Sequence, residues 1–204
     1  MKTLKKIVIV TAIVTSFSTY AQTKTLAAAF SRSYDYEAIA KYDAAISALN
    51  EVYNASSYET NLRLGWLNYL AGKYKESVSF YQKAMALMPA ATEPRWAVIN
   101  PYTKLESWND IEKNYLAILK TDPKNATANY NLGLIYYYRK DYFSAKKHFD
   151  VSLNLAPFEY NYMLMSGWAN YFLGNKNEAS VLFNKVLLYS PNDKSALEGL
   201  SMIK

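Results

Sequence analysis

One histidine and no cysteine leave this 204-residue chain few side chains that can exchange a proton or a lone pair near neutral pH. His148 stands beside Lys146 and Lys147 with no second metal-binding side chain four residues on, which reads as a solvated histidine on an outer helix face. Asp43, Glu76 and Glu178 fall near expected turns with lysines close by, and read as solubilising charge. The glycines are scattered singly, so no loop can wrap a phosphate in backbone amides. For a nucleophile with its base, a carboxylate pair in a pocket or a metal cluster the inventory is thin. The expectation is a chain with no catalytic residue, no metal and no cofactor.

What the chain does carry is aromatic surface, in 20 tyrosines, 8 phenylalanines and 4 tryptophans. Such side chains offer large contact area with few rotors to freeze, which is chemistry for holding another molecule. The elements that position them follow from an internal period. Prolines stand at 89, 123, 157 and 191, each 34 residues after the last. The same step joins Gly65, Gly133 and Gly167, with Ile99 in the slot between, and joins Ser77, Ile111, Ala145 and Ala179. It also joins Tyr81, Tyr115, Phe149 and Phe183. Two antiparallel helices approach closely only where small residues remove bulk, and proline ends a helix.

With Leu132-Gly133, Tyr136, Tyr142, Ala145, Phe149 and Pro157 in order, the sequence resembles the tetratricopeptide repeat. The resemblance implies an all-α fold, a right-handed α-solenoid of stacked antiparallel helix hairpins. Full repeats are expected at 58–91, 92–125, 126–159 and 160–193, with a looser, shorter one at 26–57. A capping helix is expected at 194–204, with Asn192 and Asp193 as candidate N-caps. Tyr81 and Phe149 are expected between one hairpin and the next. The repeat 92–125 departs most, with isoleucines at 99 and 111 and with Pro101 inside its first helix. Pro101 cannot donate to the carbonyl of Ala97 and disfavours helical angles at Asn100, so a kink is expected there.

The resemblance further implies that the first helices of successive hairpins line a concave groove. Helical spacing then selects Phe30 and Tyr34, followed by Leu62, Trp66, Tyr69 and Leu70. The kinked repeat offers Trp96, Asn100, Thr103 and Lys104. The next gives Tyr130, Leu134, Tyr137 and Tyr138, and the last full one Leu164, Trp168, Tyr171 and Phe172. Trp66 and Trp168 are the most informative, since that slot is often polar in the family. The family's carboxylate clamp is missing, because Phe30 and Tyr34 occupy its first lysine and asparagine slots. Arg63, Arg95, Lys104 and Arg139 fringe the same helices as solvated charges or contacts for acidic groups on a partner.

The first 21 residues run from basic (Lys2, Lys5, Lys6) through apolar (Ile7 to Val14) to small and polar, the order of a secretory signal peptide cut after Ala21. An uncleaved anchor is disfavoured, because the apolar run is shorter than the roughly 20 residues of a spanning helix. The expected location is therefore exported, periplasmic or at the cell surface. Removing the three leader lysines reduces 23 basic residues to 20 against 17 acidic, a net of +3. That small, dispersed excess argues against nucleic-acid binding. The expected function is a protein-binding scaffold in a bacterial envelope. The alternatives are recognition of glycan or peptidoglycan strands, and a homo-oligomer whose groove receives a second copy.

Overall fold

The computed structural model describes residues 25–203. The expected signal peptide, residues 1–21, lies outside that range, as does Lys204. Among the described residues every regular element is a helix. α1 covers residues 25–38, followed by α2 Tyr42–Asn50, α3 Tyr58–Leu70, α4 Tyr74–Leu87, α5 Glu93–Ala97 and α6 Ile99–Lys104. α7 Trp108–Thr121, α8 Ala126–Tyr138, α9 Tyr142–Leu155, α10 Tyr160–Phe172, α11 Lys176–Tyr189 and α12 Lys194–Ile203 complete the chain. Two compact units divide at Leu105 and Glu106, inside the repeat that carries isoleucine in both small-residue slots. In the first unit α3 packs on α2 and α4, and α4 on α5 and α6. In the second, α8 pairs with α9 and α10 with α11, while α7 packs on α8, α9 on α10 and α12 on α11.

Helix starts are fixed by side chains that accept the orphan amides of the first turn. Ser57 accepts from Thr60 N at 3.2 Å and Asn125 from Ala128 N at 3.0 Å. Asp141 accepts from Ser144 N at 3.0 Å, and Asp193 from Ala196 N at 2.8 Å at the head of α12. Helix ends come in two forms. Met88, Asp122, Ala156 and Ser190, each just before a proline, share φ near −131 to −137° and ψ of 78 to 85°, the extended region to which a following proline ring confines its neighbour.

The turns inside the hairpins use a left-handed residue: Gly72, Glu106, Lys140 and Gly174 lie on the 34-residue step, and Ala40 fills the same role in the shorter repeat. Their φ values run from 54 to 81°. At Lys140 the amide donates to Tyr137 O at 2.9 Å and Asp141 N donates to Tyr136 O at 3.0 Å, the paired bonds of a Schellman turn. The same two bonds recur at Ala40, Gly72 and Gly174.

Inside each hairpin a large ring covers the helical glycine. A methyl group on Gly65 would lie 2.7 Å from the Tyr81 ring, on Gly133 2.5 Å from Phe149, and on Gly167 2.8 Å from Phe183. Phe183 also covers Gly199 of α12, and Phe149 belongs to one core with Ala169 of the next hairpin. The rings expected between hairpins thus seal their own hairpin first. Ser77 Oγ donates to Gly65 O at 2.7 Å, tying the small pair together. Asn61 and Asn129, both buried, donate to Ala55 O and Pro123 O and latch the loops before their helices.

At the expected kink the structure shows a break in the helix, one turn before the residue expected. The first helix of the repeat 92–125 is interrupted at Val98, which is fully buried, and resumes through Ile99, Asn100 and Pro101. Asn100 stays helical. The break falls a turn upstream because the missing donor is Pro101 and the orphaned acceptor is Ala97 O, while Val98 keeps helical angles at φ −69° and ψ −17°. His148 is a second correction. It is half-buried, stacks on Tyr136 with ring centres 5.6 Å apart, and meets Asn129 Oδ1 through Nδ1 at 2.9 Å. The Asn129 amide group already donates to Pro123 O and Asn125 O, so its oxygen accepts and Nδ1 carries the proton. Burial, and secondarily Lys147, push the His148 pKa below its usual value, so it is a neutral structural group.

Candidate functional site

The α1–α6 unit contains a concave groove of about 650 Å³. Phe30 and Tyr34 of α1 and Leu62, Arg63 and Trp66 of α3 form one wall, as helical spacing selects. Tyr58 and Glu59 add the first turn of α3, Tyr81 the buried floor, and Met88, Glu93 and Ala97 the far side. Tyr58, Glu59, Tyr81, Met88, Glu93 and Ala97 escaped the sequence reading, which searched only the inward stripe of first helices. The strict step from Tyr58 to residue 92 could have flagged the helix starts as a second lining.

Arg63 is the largest correction. It is 7% exposed, not a fringe charge. Its guanidinium pairs through Nη1 with Glu37 Oε2, donates through Nε to Ser33 Oγ at 3.2 Å, and lies 3.8 Å below the centre of the Tyr34 ring. Nη2 is buried and has no acceptor. An unmet buried donor costs about 1–3 kcal/mol, against about 0.5–2 kcal/mol gained by a cation under an aromatic face. Tyr34 is 55% exposed, so moving this ring disturbs little else.

Glu37 also accepts from Trp66 Nε1 at 2.6 Å, which fixes the indole with 37% of Trp66 exposed at the groove. Tyr69 packs against Trp66 with ring centres 5.7 Å apart, and Leu70 lines a separate shallow hollow of about 460 Å³ with Tyr42 and Asp43. Trp96 and Lys104 belong to α5 and α6 and do not line the groove. Arg95 donates to Pro89 O at 3.3 Å and approaches Met85 Sδ. Asn100 and Thr103 are exposed, with Thr103 Oγ1 turned back to Ile99 O at 2.8 Å.

Burial, then Glu93 and Tyr69, push the Tyr81 hydroxyl far above its ordinary range. Burial and Glu93 do the same more mildly at Tyr58, whose hydroxyl donates to Glu93 Oε2 at 3.2 Å. Both phenols therefore stay neutral donors. The groove's fixed charges are the carboxylates of Glu59 and Glu93, with Arg63 balanced by Glu37.

In the α7–α12 unit most of the expected ligand aromatics pack on one another. Phe172 stacks on Tyr142 at 4.5 Å and on Trp168 at 6.0 Å, and Tyr137 meets Phe172 at 6.0 Å. Burial, then Tyr142 and Tyr138, push the Tyr137 hydroxyl up to about 12. Tyr130 lies 5.0 Å from Tyr162 and 5.8 Å from Phe149, and Leu134 packs on the same core. Trp168 is half-buried, meets Phe183 edge-on at 5.1 Å, and donates from Nε1 to Ser195 Oγ at 2.9 Å. Leu164 and Tyr171 pack on that core as well. Trp168 is therefore committed largely to seating α12. Of the expected side chains Tyr138 stays open at 76% exposed, and Phe172 keeps 44% exposed beside its stacking partners; Phe143 of α9, which helical spacing did not select, is 74% exposed. Arg139 stays exposed, pairs with Glu112 and donates to Asn109 Oδ1 at 3.1 Å.

Among the described residues no three His, Asp or Glu side chains converge where they could hold a metal ion. No helix among them is long and apolar enough to cross a membrane.

No protein-family model matches the chain, and no curated protein does. Solved structures do match. A tetratricopeptide repeat protein from Parabacteroides merdae ATCC 43184 aligns at 22% identity over 88% of this chain and 72% of its own, with a TM-score of 0.73. MamA aligns at 20% identity over 81% of this chain and 91% of its own, with a TM-score of 0.69. MamA AMB-1 aligns at 17% over 88% and 97%, also with a TM-score of 0.69. At such identities the likeness establishes the fold. The chain is a helical repeat protein with the tetratricopeptide fold, an all-α solenoid of antiparallel hairpins packed in consecutive pairs.

Proposed function

We propose that this chain is a non-catalytic binding module that holds a segment of a partner protein in the groove of its α1–α6 unit, after export to a bacterial envelope. The observation that carries the reading is Trp66. Its indole is held by Glu37 at 2.6 Å, yet 37% of the residue remains exposed at the mouth of an aromatic-lined groove. A rigid, partly exposed tryptophan with its N–H already satisfied presents an apolar face at little entropic cost, which is how interface anchors work. The basic, apolar and small-residue order of residues 1–21 supports the export part.

Placing a photo-crosslinking residue at Trp66 in living cells tests the binding part. One discrete adduct is expected, absent when the crosslinker replaces the exposed Leu188 of α11. Equal or no capture at both positions refutes the groove. Sequencing of the mature N-terminus is expected to begin at Gln22, and a retained leader refutes export by cleavage. Exposure of Tyr138 and Phe143 favours a second reading, self-association through exposed aromatic side chains. Light scattering of a Tyr138→Glu, Phe143→Glu variant separates it from the first, since only self-association predicts a smaller particle.

A further inference from the structure

The groove of the α1–α6 unit holds one guanidinium, and that guanidinium is already spent. Arg63 directs Nη1 to Glu37 and Nε to Ser33, so it presents no net positive charge to a guest. Glu59 and Glu93 are different. Both line the groove, both are exposed, and among the described residues neither forms an ion pair. Each accepts only from a neutral hydroxyl, Glu59 from Ser57 at 3.1 Å and Glu93 from Tyr58 at 3.2 Å. The fixed charge offered to a guest is therefore negative.

The other lining matches that sign. Tyr58 and Trp66 line the groove with aromatic rings, whose quadrupoles attract cations. Leu62 of one wall, the Tyr81 floor and Met88 of the far side give apolar surface along which an aliphatic stem can lie. One polar demand is left over, the buried Nη2 of Arg63, which lacks an acceptor in a guanidinium that is covered by the exposed Tyr34 ring. A main-chain carbonyl is the acceptor that a peptide brings without adding charge.

Resting on the groove reading above, we infer that the partner segment is basic: an extended stretch with a lysine or arginine between apolar residues. Its cation lies against Glu59 and Glu93 among the aromatic faces. Its stem covers the Tyr81 floor, and a neighbouring carbonyl accepts from Arg63 Nη2 as Tyr34 turns aside. Acidic segments are excluded, because Glu37 already neutralises the only guanidinium.

Titration calorimetry of the mature chain with three capped pentapeptides tests this, namely Ala-Leu-Lys-Leu-Ala and its versions with norleucine or glutamate at the centre. The lysine peptide is expected to bind about tenfold tighter than the norleucine one, as a cation–π contact with a screened ion pair allows. The glutamate peptide is expected to bind weakest. Added salt should narrow the spread. Glu59→Gln with Glu93→Gln changes exposed side chains, and should close the gap between the lysine and norleucine peptides. Arg63→Lys keeps the charge beside Glu37 and loses the fork, so it should weaken all three peptides alike. Equal binding of lysine and norleucine peptides overturns the inference and leaves the groove standing. Failure of every peptide overturns it too, and crosslinking at Trp66 then judges the groove by itself.

Discussion

Gly133→Ala is the sharpest test of how the hairpins are held. The added methyl would lie 2.5 Å from Phe149 Cε1 and 2.6 Å from Cδ1, where carbon atoms ordinarily rest about 3.5–4.0 Å apart. The ring must retreat by about 1 Å, yet Phe149 is 0% exposed and backed by Ala145 and Ala169. Overpacking of that kind costs about 1–3 kcal/mol, while replacing glycine by alanine inside a helix returns about 0.8–1.0 kcal/mol. The net expectation is a loss of about 1 kcal/mol, within a range of about 0–2 kcal/mol, and a drop of about 0.5 M in the urea midpoint read by helical ellipticity. Removing the ring should reverse the sign. Against Phe149→Ala, which alone costs about 3–5 kcal/mol, the added Gly133→Ala should stabilise by about 1 kcal/mol, since only the propensity gain remains. If Gly133→Ala is neutral in the parent, or equally harmful without the ring, steric exclusion does not explain the glycine slot.

Three further outcomes follow from the same geometry. Arg63→Met leaves Glu37 a half-buried carboxylate with only Trp66 as partner, and should cost about 3 kcal/mol; pairing it with Glu37→Gln should recover part of that loss in a double-mutant cycle. Lys140→Gly removes a side chain from a residue at φ 62°, and should raise stability by about 0.5–1 kcal/mol, seen as a higher melting temperature. The pKa of His148 is depressed below 6.5 by burial, so the unfolded chain takes the proton first. Its contribution is complete above about pH 6.5 and is lost as pH falls through the folded value; His148→Gln, which keeps a donor for Asn129, should flatten that part of a urea-midpoint-versus-pH curve.

The parts of the fold legible from sequence are those where one residue obeys one steric rule. Pro157 ends a helix because it has no amide to donate, and Gly133 marks a close approach because a methyl group does not fit under Phe149. Such rules repeat with the chain and show as a period. The turn slot follows the same period but was disguised, because Glu106 and Lys140 adopt left-handed angles without being glycine. The groove was half legible. Phe30, Tyr34, Leu62 and Trp66 follow helical spacing, whereas Arg63 looked like a surface charge because its partner Glu37 belongs to another helix. The packing of Trp168 and the burial of His148 were hidden for the same reason. Ser195 and Asn129, which satisfy them, are neighbours only after folding.

The seating of Phe183 between Gly167 and Gly199 limits how such a chain can change in length. Each residue added within α10 or α11 turns everything beyond it by about 100° around the helix axis. A single insertion would swing the ring away from the two bare backbones waiting for it and leave an empty notch beside a clash. Lengthening is therefore tolerable in the connecting loops, or by whole 34-residue modules that bring a new ring together with its own gap.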